Sequence, residues 1–167
     1  MSEKNKLFEK LSEKFGNRIL ETVLSFGEPV VTSHKKDVRE ILFFLKNDTE
    51  LSFDMLVDLF GIDYPEEEPR FEIVYILRSV KSNGKVTVKT RTGEDGMDTV
   101  SDLWKAADWL EREIYDMFGV QFADHPDLRR IYTDDDFEGH PLRKDFPLEG
   151  RDYDKPFTVT LEEERRK

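Results

Sequence analysis

Residues 119–150, GVQFADHPDLRRIYTDDDFEGHPLRKDFPLEG, follow neither the helical period nor the strand alternation, yet apolar side chains recur throughout. A structureless stretch of roughly 30 residues is uncommon inside a compact domain. Three of the chain's seven prolines lie in it, and eight acidic side chains accompany Arg129, Arg130, Arg143 and Lys144. Phe122, Leu128, Ile131, Tyr132, Phe137, Leu142, Phe146 and Leu148 punctuate it. Burying a large apolar side chain is worth roughly 1.5–3 kcal/mol, so leaving this set in water is unfavourable. The pattern predicts an extended irregular arm. Its prolines and glycines prevent regular structure, and its apolar side chains dock on the chain's own domain, on another protein, or on both.

Upstream the patterns are regular. Leu7, Leu11 and Phe15 predict an amphipathic helix over 4–15, and Val38, Ile41, Leu42 and Leu45 predict another over 37–46. Short strands are expected at 21–26 and 29–33, around Gly27-Glu28, and a buried strand at 55–63. Residues 70–79 and the alternating KVTVKTR flank Asn83-Gly84, which predicts a hairpin with a type I′ turn. Residues 93–98 read as a loop. A helix is expected over 101–118, capped by Thr99 or Ser101, with an Asp108–Arg112 pair one turn apart and Gly119 as its stop. The fold class is α+β: a mixed, largely antiparallel sheet with helices on one side, followed by the irregular arm. The division expected is an α+β domain at 1–118 and a partner-binding arm at 119–167. Within the arm, FTVTL (157–161) is a further strand or a partner contact, and the last six residues fray.

Composition narrows the function. The net charge of −11 opposes binding to nucleic acid or an anionic membrane surface. There is no cysteine, hence no disulfide, no thiolate nucleophile and no thiolate ligand for an iron–sulfur cluster. No apolar run approaches the roughly 20 residues of a spanning helix, so direct membrane insertion is not expected. The glycines form neither phosphate-cradling motif.

Several residues carry possible chemistry. Glu111, Glu113 and Asp116 are carboxylates on one predicted helix, an arrangement that enzymes use for acid–base work. The favoured reading is a hydrogen-bond and charge network at a partner interface. His125 and His140 lie 15 apart in irregular chain, without a metal-binding spacing, and are read as structural or interface residues. Asp134-Asp135-Asp136 lacks the order of a calcium loop and reads as a solvated turn. The arm also echoes itself. His125-Pro126-Asp127-Leu128-Arg129-Arg130 is similar to His140-Pro141-Leu142-Arg143-Lys144-Asp145: a stiffening proline, a leucine anchor and two cations. Arginines beside such anchors suit bidentate docking against carboxylates. No catalytic, cofactor-binding or metal residue is assigned. A free-standing hydrolase using these carboxylates and histidines, and a free acidic adaptor, are the rival readings.

Glu111-Arg112-Glu113, Asp116, Gly119, HPDLRRI and GHPLRKDFP, with VDLFGIDYP and RFEIVYIL upstream, resemble the C-subunit family of respiratory complex I, the proton-translocating NADH:quinone oxidoreductase. The resemblance covers about 55–150. It implies a scaffold with no flavin, cluster or quinone ligand of its own, FMN and iron–sulfur clusters being held by other subunits. It implies an extension that clamps the D subunit beside the quinone cavity, with the B subunit and other peripheral-arm subunits as neighbours. The location implied is the cytoplasmic face of the inner (plasma) membrane. The partner-interface residues are then Glu111, Arg112, Glu113, Asp116, His125, Asp127, Arg129, Arg130, His140, Arg143, Lys144 and Asp145. The same family occurs in related membrane-bound hydrogenases and complex I-like dehydrogenases, which are the alternative parents.

Overall fold

The computed structural model describes residues 3–149. The expected strand at FTVTL and the fraying end lie outside the described residues. Three helices and one sheet form the body. Helix α1 spans Glu3–Phe15, α2 Lys35–Asn47 and α3 Ala107–Phe118. The five long strands are β1 Ile19–Ser25, β2 Glu28–Ser33, β3 Met55–Asp63, β4 Phe71–Arg78 and β5 Lys85–Thr92. They order as β1-β2-β5-β4-β3, with only β2 and β5 parallel. This is the mixed, largely antiparallel α+β sheet that the sequence pattern predicts.

Alternation decides which face is covered. In β4 the side chains of Phe71, Ile73, Tyr75 and Leu77 are fully buried, and β5 adds Val86 and Val88. Leu7, Leu11 and Phe15 of α1, Val38, Ile41, Leu42 and Leu45 of α2, and Ile114 and Phe118 of α3 join them in one cluster. Each helix contributes the stripe that its apolar period lays out. Helix α3 lies against β3, where a Cβ at Gly61 would stand 3.1 Å from the Phe118 ring and 3.6 Å from Ile114 Cγ2.

Local details differ from the sequence pattern in several places. The Asn83-Gly84 connection is not a two-residue turn. Arg78 pairs directly with Lys85, leaving a six-residue loop in which Ser79 N donates to Gly84 O at 2.9 Å. Only Asn83 has positive φ there, whereas a type I′ turn needs it at both central residues. That condition is met between β1 and β2, at Phe26 (φ 50°) and Gly27 (φ 81°). Residues 93–98 are not all loop: β6, Met97–Asp98, pairs in parallel with β7, Phe122–Ala123, so the arm begins as a short strand. Met97 and Phe122 are both buried, which explains a pairing that no local period announces.

The helix expected over 101–118 begins only at Ala107. Residues 100–106 form successive turns, with Trp104 N on Val100 O and Ala107 N on Trp104 O. Thr99 and Ser101 do not cap it, because the Thr99 hydroxyl is engaged by Glu111. Asp108 and Arg112 do not pair either, since the Arg112 guanidinium turns to the arm. Gly119 does end the helix, at φ 78°. Gly61→Val should lower stability by about 1–3 kcal/mol, because the added branches must displace the Phe118 ring. A urea-unfolding midpoint unchanged by the substitution would contradict this packing.

Candidate functional site

The last helix and the arm meet around two buried carboxylates. Glu111 and Asp116 are both fully buried, five residues apart on α3, and point to different surroundings. Asp116 is met by the arm. Its Oδ2 accepts the backbone amides of Ile131 (3.0 Å), Tyr132 (2.8 Å) and Thr133 (3.0 Å). Its Oδ1 accepts the Arg130 guanidinium at 2.9 Å and the Thr133 hydroxyl at 2.5 Å. Burial alone would raise this carboxyl. The Thr133 hydroxyl and the three amides outweigh burial and hold it down at about 2.

The rest of the arm ties down the C-terminus of α3. Orphan carbonyls there carry the negative end of the helix dipole and favour donors and cations. His140 Nδ1 donates to Asp116 O at 2.8 Å, Leu142 N to Met117 O at 3.1 Å and Arg143 Nε to Phe118 O at 2.6 Å. Arg143 also pairs with Glu94 at 2.7 Å and lies over the Phe71 ring. Burial, and then the neighbouring Arg143 and Arg130, lower the pKa of His140. A Cβ at Gly119 would collide with the His140 ring and the Arg143 guanidinium, so glycine is needed for space as well as for φ. Arg130 reaches further, to Gly139 O at 3.1 Å.

A third fastening joins the arm to the sheet. Asp63 ends β3 and Arg70 precedes β4, so the hairpin sets them face to face. Arg70 donates to both Asp63 oxygens, at 2.6 and 2.8 Å, and to Asp145 at 2.8 and 3.1 Å. The Lys144 amide donates to Asp63 Oδ2 at 2.7 Å. The Arg70 guanidinium holds both carboxyls below the usual range.

Glu111 belongs to the other end of α3. It accepts the Thr99 hydroxyl at 2.5 Å and the Val100 amide at 2.7 Å. These two bonds lower its pKa but do not offset burial, which pushes it up to about 7. His125 Nε2 lies 3.8 Å from this carboxyl and donates to Asp108 O at 3.1 Å. Arg112 donates to Arg129 O (3.1 Å) and Arg130 O (3.4 Å) and stacks over Trp109.

Asp116, Arg130, His140 and Arg143 therefore converge at the end of α3. Glu111 and His125 form a separate pair. Asp127 and Arg129 pair with each other on the surface at 2.9 Å. Lys144 and Asp145 join the Asp63–Arg70 hairpin end. Glu113 is half-buried, apart from these groups. Sequence reasoning missed Thr99, Thr133, Asp63, Arg70 and Glu94. Only Asp63 and Arg70 left a signal, as opposite charges bracketing a hairpin. Of the two tryptophans, Trp104 is buried and precedes the helix, while Trp109 is 63% exposed on it.

Outside these fastenings the arm shows apolar surface: Tyr132 is 68% exposed, Leu142 51% and Leu148 103%. Among the described residues no group of three or more His, Asp or Glu side chains is disposed to hold a metal ion. Nor, among them, is any helix long and apolar enough to cross a membrane.

The profile of the family described as "Respiratory-chain NADH dehydrogenase, 30 Kd subunit" matches residues 31–152, a span that runs from the end of β2 through β3, β4 and β5 to the fastened arm. The chain belongs to that family. It is 46% identical over 153 residues to the C subunit of the NADH-quinone oxidoreductase of Geobacter metallireducens, covering 90% of this chain and 93% of that one. It is 46% identical over 141 residues to the corresponding C subunit of a Chelativorans strain, covering 84% and 70%. Among solved structures it is similar to a trypsin-resistant fragment of Nqo5, at 30% identity and a TM-score of 0.62, covering 73% of this chain and 99% of the fragment. It is also similar to a chain of an archaeal membrane-bound sulfane sulfur reductase, at 27% identity and a TM-score of 0.74, covering 88% and 87%.

The two carboxylates have opposite pH signatures. The folded Asp116 carboxyl is depressed, so its contribution is present above the unfolded value near 4 and is lost as pH falls through about 2. Glu111 is raised, so its contribution is complete below roughly 4 and is lost as pH rises through about 7. The loss is on the order of 3 kcal/mol. Glu111→Gln should flatten stability between roughly pH 4.5 and 8 in thermal melts, whereas an unaltered slope would show that another group titrates there.

Proposed function

We propose that this chain is a non-catalytic scaffold subunit of NADH:quinone oxidoreductase, and that its arm clamps the D subunit beside the quinone site. The observation that carries this reading is the division of labour within the arm. Two of its cations, Arg130 and Arg143, and the backbone amide of Lys144 turn inward, on Asp116, on the end of α3 and on the Asp63–Arg70 pair. Outward stand Tyr132, Leu142, Leu148 and the Arg129 guanidinium, with Trp109 on α3 and a separate acidic run at Asp134, Asp135 and Asp136. Aromatic and arginine side chains around a rigid apolar ledge are the usual composition of interface hot spots. A ledge fixed before binding also avoids much of the ordering cost of association.

The chemistry belongs elsewhere in the complex. The absence of cysteine, the usual cluster ligand, supports placing the iron–sulfur clusters in other subunits, and the family resemblance supports the same for FMN. Electron transfer depends on fixed spacing between such cofactors, and a clamp serves that spacing. The B subunit and other peripheral-arm subunits are the remaining neighbours, on the cytoplasmic face of the membrane. The likeness to the sulfane sulfur reductase chain favours a second reading, an equivalent subunit of a related membrane-bound complex. Flavin and NADH oxidation in the purified complex distinguish the first parent from the second.

Arg129 is the residue to test, because its side chain is 69% exposed, whereas Arg143 is built into the fold. Arg129→Glu combined with Tyr132→Ala should leave the melting temperature of the isolated chain unchanged. In the purified complex it should reduce retention of the chain and quinone reduction at least several-fold. Full assembly with full quinone reduction would remove the arm from the interface.

A further inference from the structure

The two edges of the sheet are treated differently. At the β3 edge a register shift lies between Leu56 and Asp58, and Asp58 Oδ1 takes the next amide, Leu59 N, at 2.8 Å. The arm then bonds the end of that strand through Lys144 N. At the other edge, β1 pairs only with β2. Every residue from Leu20 to Ser25 is exposed, the register irregularity is confined to the first residues, and Glu21 is the one charge. An unprotected edge presents a row of free amides and carbonyls, a template for another strand. Exposed apolar side chains stand on both of its faces. Leu20 and Leu24 are 56% and 54% exposed, Val23 is 40%, and Phe26 stands wholly in solvent at a φ that disfavours any non-glycine residue.

Beside β1, between it and α1, runs a groove of about 700 Å³. Phe8, Ile19 and Leu20 line it together with Glu9 and Glu13; Glu21 borders it, but its pairing with Thr32 turns its side chain to the far face with Val23. Among the described residues none of these three carboxylates makes an ion pair, although most other acidic side chains of the body do. A strand laid along β1 would alternate its side chains between the two sides of the sheet. Those on the helix side would enter the groove, and those on the far side would meet Val23 and Phe26.

We propose that the free edge of β1 accepts an extended segment of a neighbouring subunit as an added strand. Alternate side chains of that segment are lysine or arginine, with their stems over Phe8 and their charges against Glu9 and Glu13. The intervening side chains are apolar. Main-chain hydrogen bonds supply affinity in such strand addition, and the alternating side chains supply specificity. This contact is independent of the arm and lies on a different part of the fold.

The test uses the full chain, free and in the purified complex. Hydrogen exchange of the amides of residues 20–25 should slow at least tenfold on assembly. A photo-crosslinking amino acid in place of Leu24 should join the chain to a segment of another subunit with alternating basic and apolar residues. Glu9→Lys with Glu13→Lys, both exposed and away from the core, should cut binding to the remaining subunits at least tenfold and leave the free chain's melt unchanged. Unchanged exchange on assembly overturns the proposal. So do crosslinks to residues 150–167, to a second copy of this chain, or to a helical or acidic segment.

Discussion

A carboxylate cut off from water stays charged only where donors replace the water it has lost, and Asp116 collects five. Three are consecutive amides of an irregular segment, one is a hydroxyl from that segment and one is a guanidinium. None of these donors is supplied by its own helix. The arm is therefore folded by a residue outside it, and the helix end is completed by residues beyond it. Removing the acceptor would leave three amides and Arg130 without their partner, the costly direction in which to break a buried ion pair. The contacts of His140, Leu142 and Arg143 with the last carbonyls of α3 follow from this placement, as does the bond from Lys144 to Asp63.

Glu111 shows what the same side-chain chemistry does with fewer donors. Neither side chain is exposed, but Glu111 lies deeper and has only two hydrogen bonds, so its carboxyl is raised where that of Asp116 is depressed. Perturbed carboxyls often mark catalysis, yet structural networks perturb them as well. Here one explanation serves both: α3 is fixed at its N-terminal half through Thr99 and Val100 and at its C-terminal half through the arm. A helix held at both ends is a firm base for a docking ledge, which is the role proposed for it.

The regular part of the fold is legible because its side chains carry a period. The alternation of Val86, Val88, Thr90 and Thr92 in β5 and the stripe of Val38, Ile41, Leu42 and Leu45 in α2 give the elements and their buried faces. Residue preference points to Asn83-Gly84 for the tight turn, but strand pairing sets the loop lengths, and the two consecutive positive φ angles fall at Phe26 and Gly27 instead. The start of α3 is misleading in the sequence because Thr99 and Ser101 look like caps. Only the folded chain shows that a glutamate twelve residues on takes the Thr99 hydroxyl. Within the arm, residue types identify which side chains converge, but not what they converge on. The acceptors are Asp116, Asp63, Glu94 and the backbone carbonyls that end α3, and backbone leaves no trace in a sequence pattern. That Arg130 and Arg143 turn inward while Tyr132, Leu142 and Leu148 stand outward is not readable from the sequence at all.

The central claim is that the arm is already fastened in the isolated chain, with Asp116 as the fastening. Amide hydrogen exchange at Ile131, Tyr132 and Thr133 in the free full-length chain measures this most directly. Exchange slowed by at least a hundredfold relative to an unstructured peptide, and restored to the fast rate by Asp116→Ala, is the predicted result. Exchange at the unstructured rate in the unaltered chain would mean that the arm is ordered only by its partner, and would contradict the account.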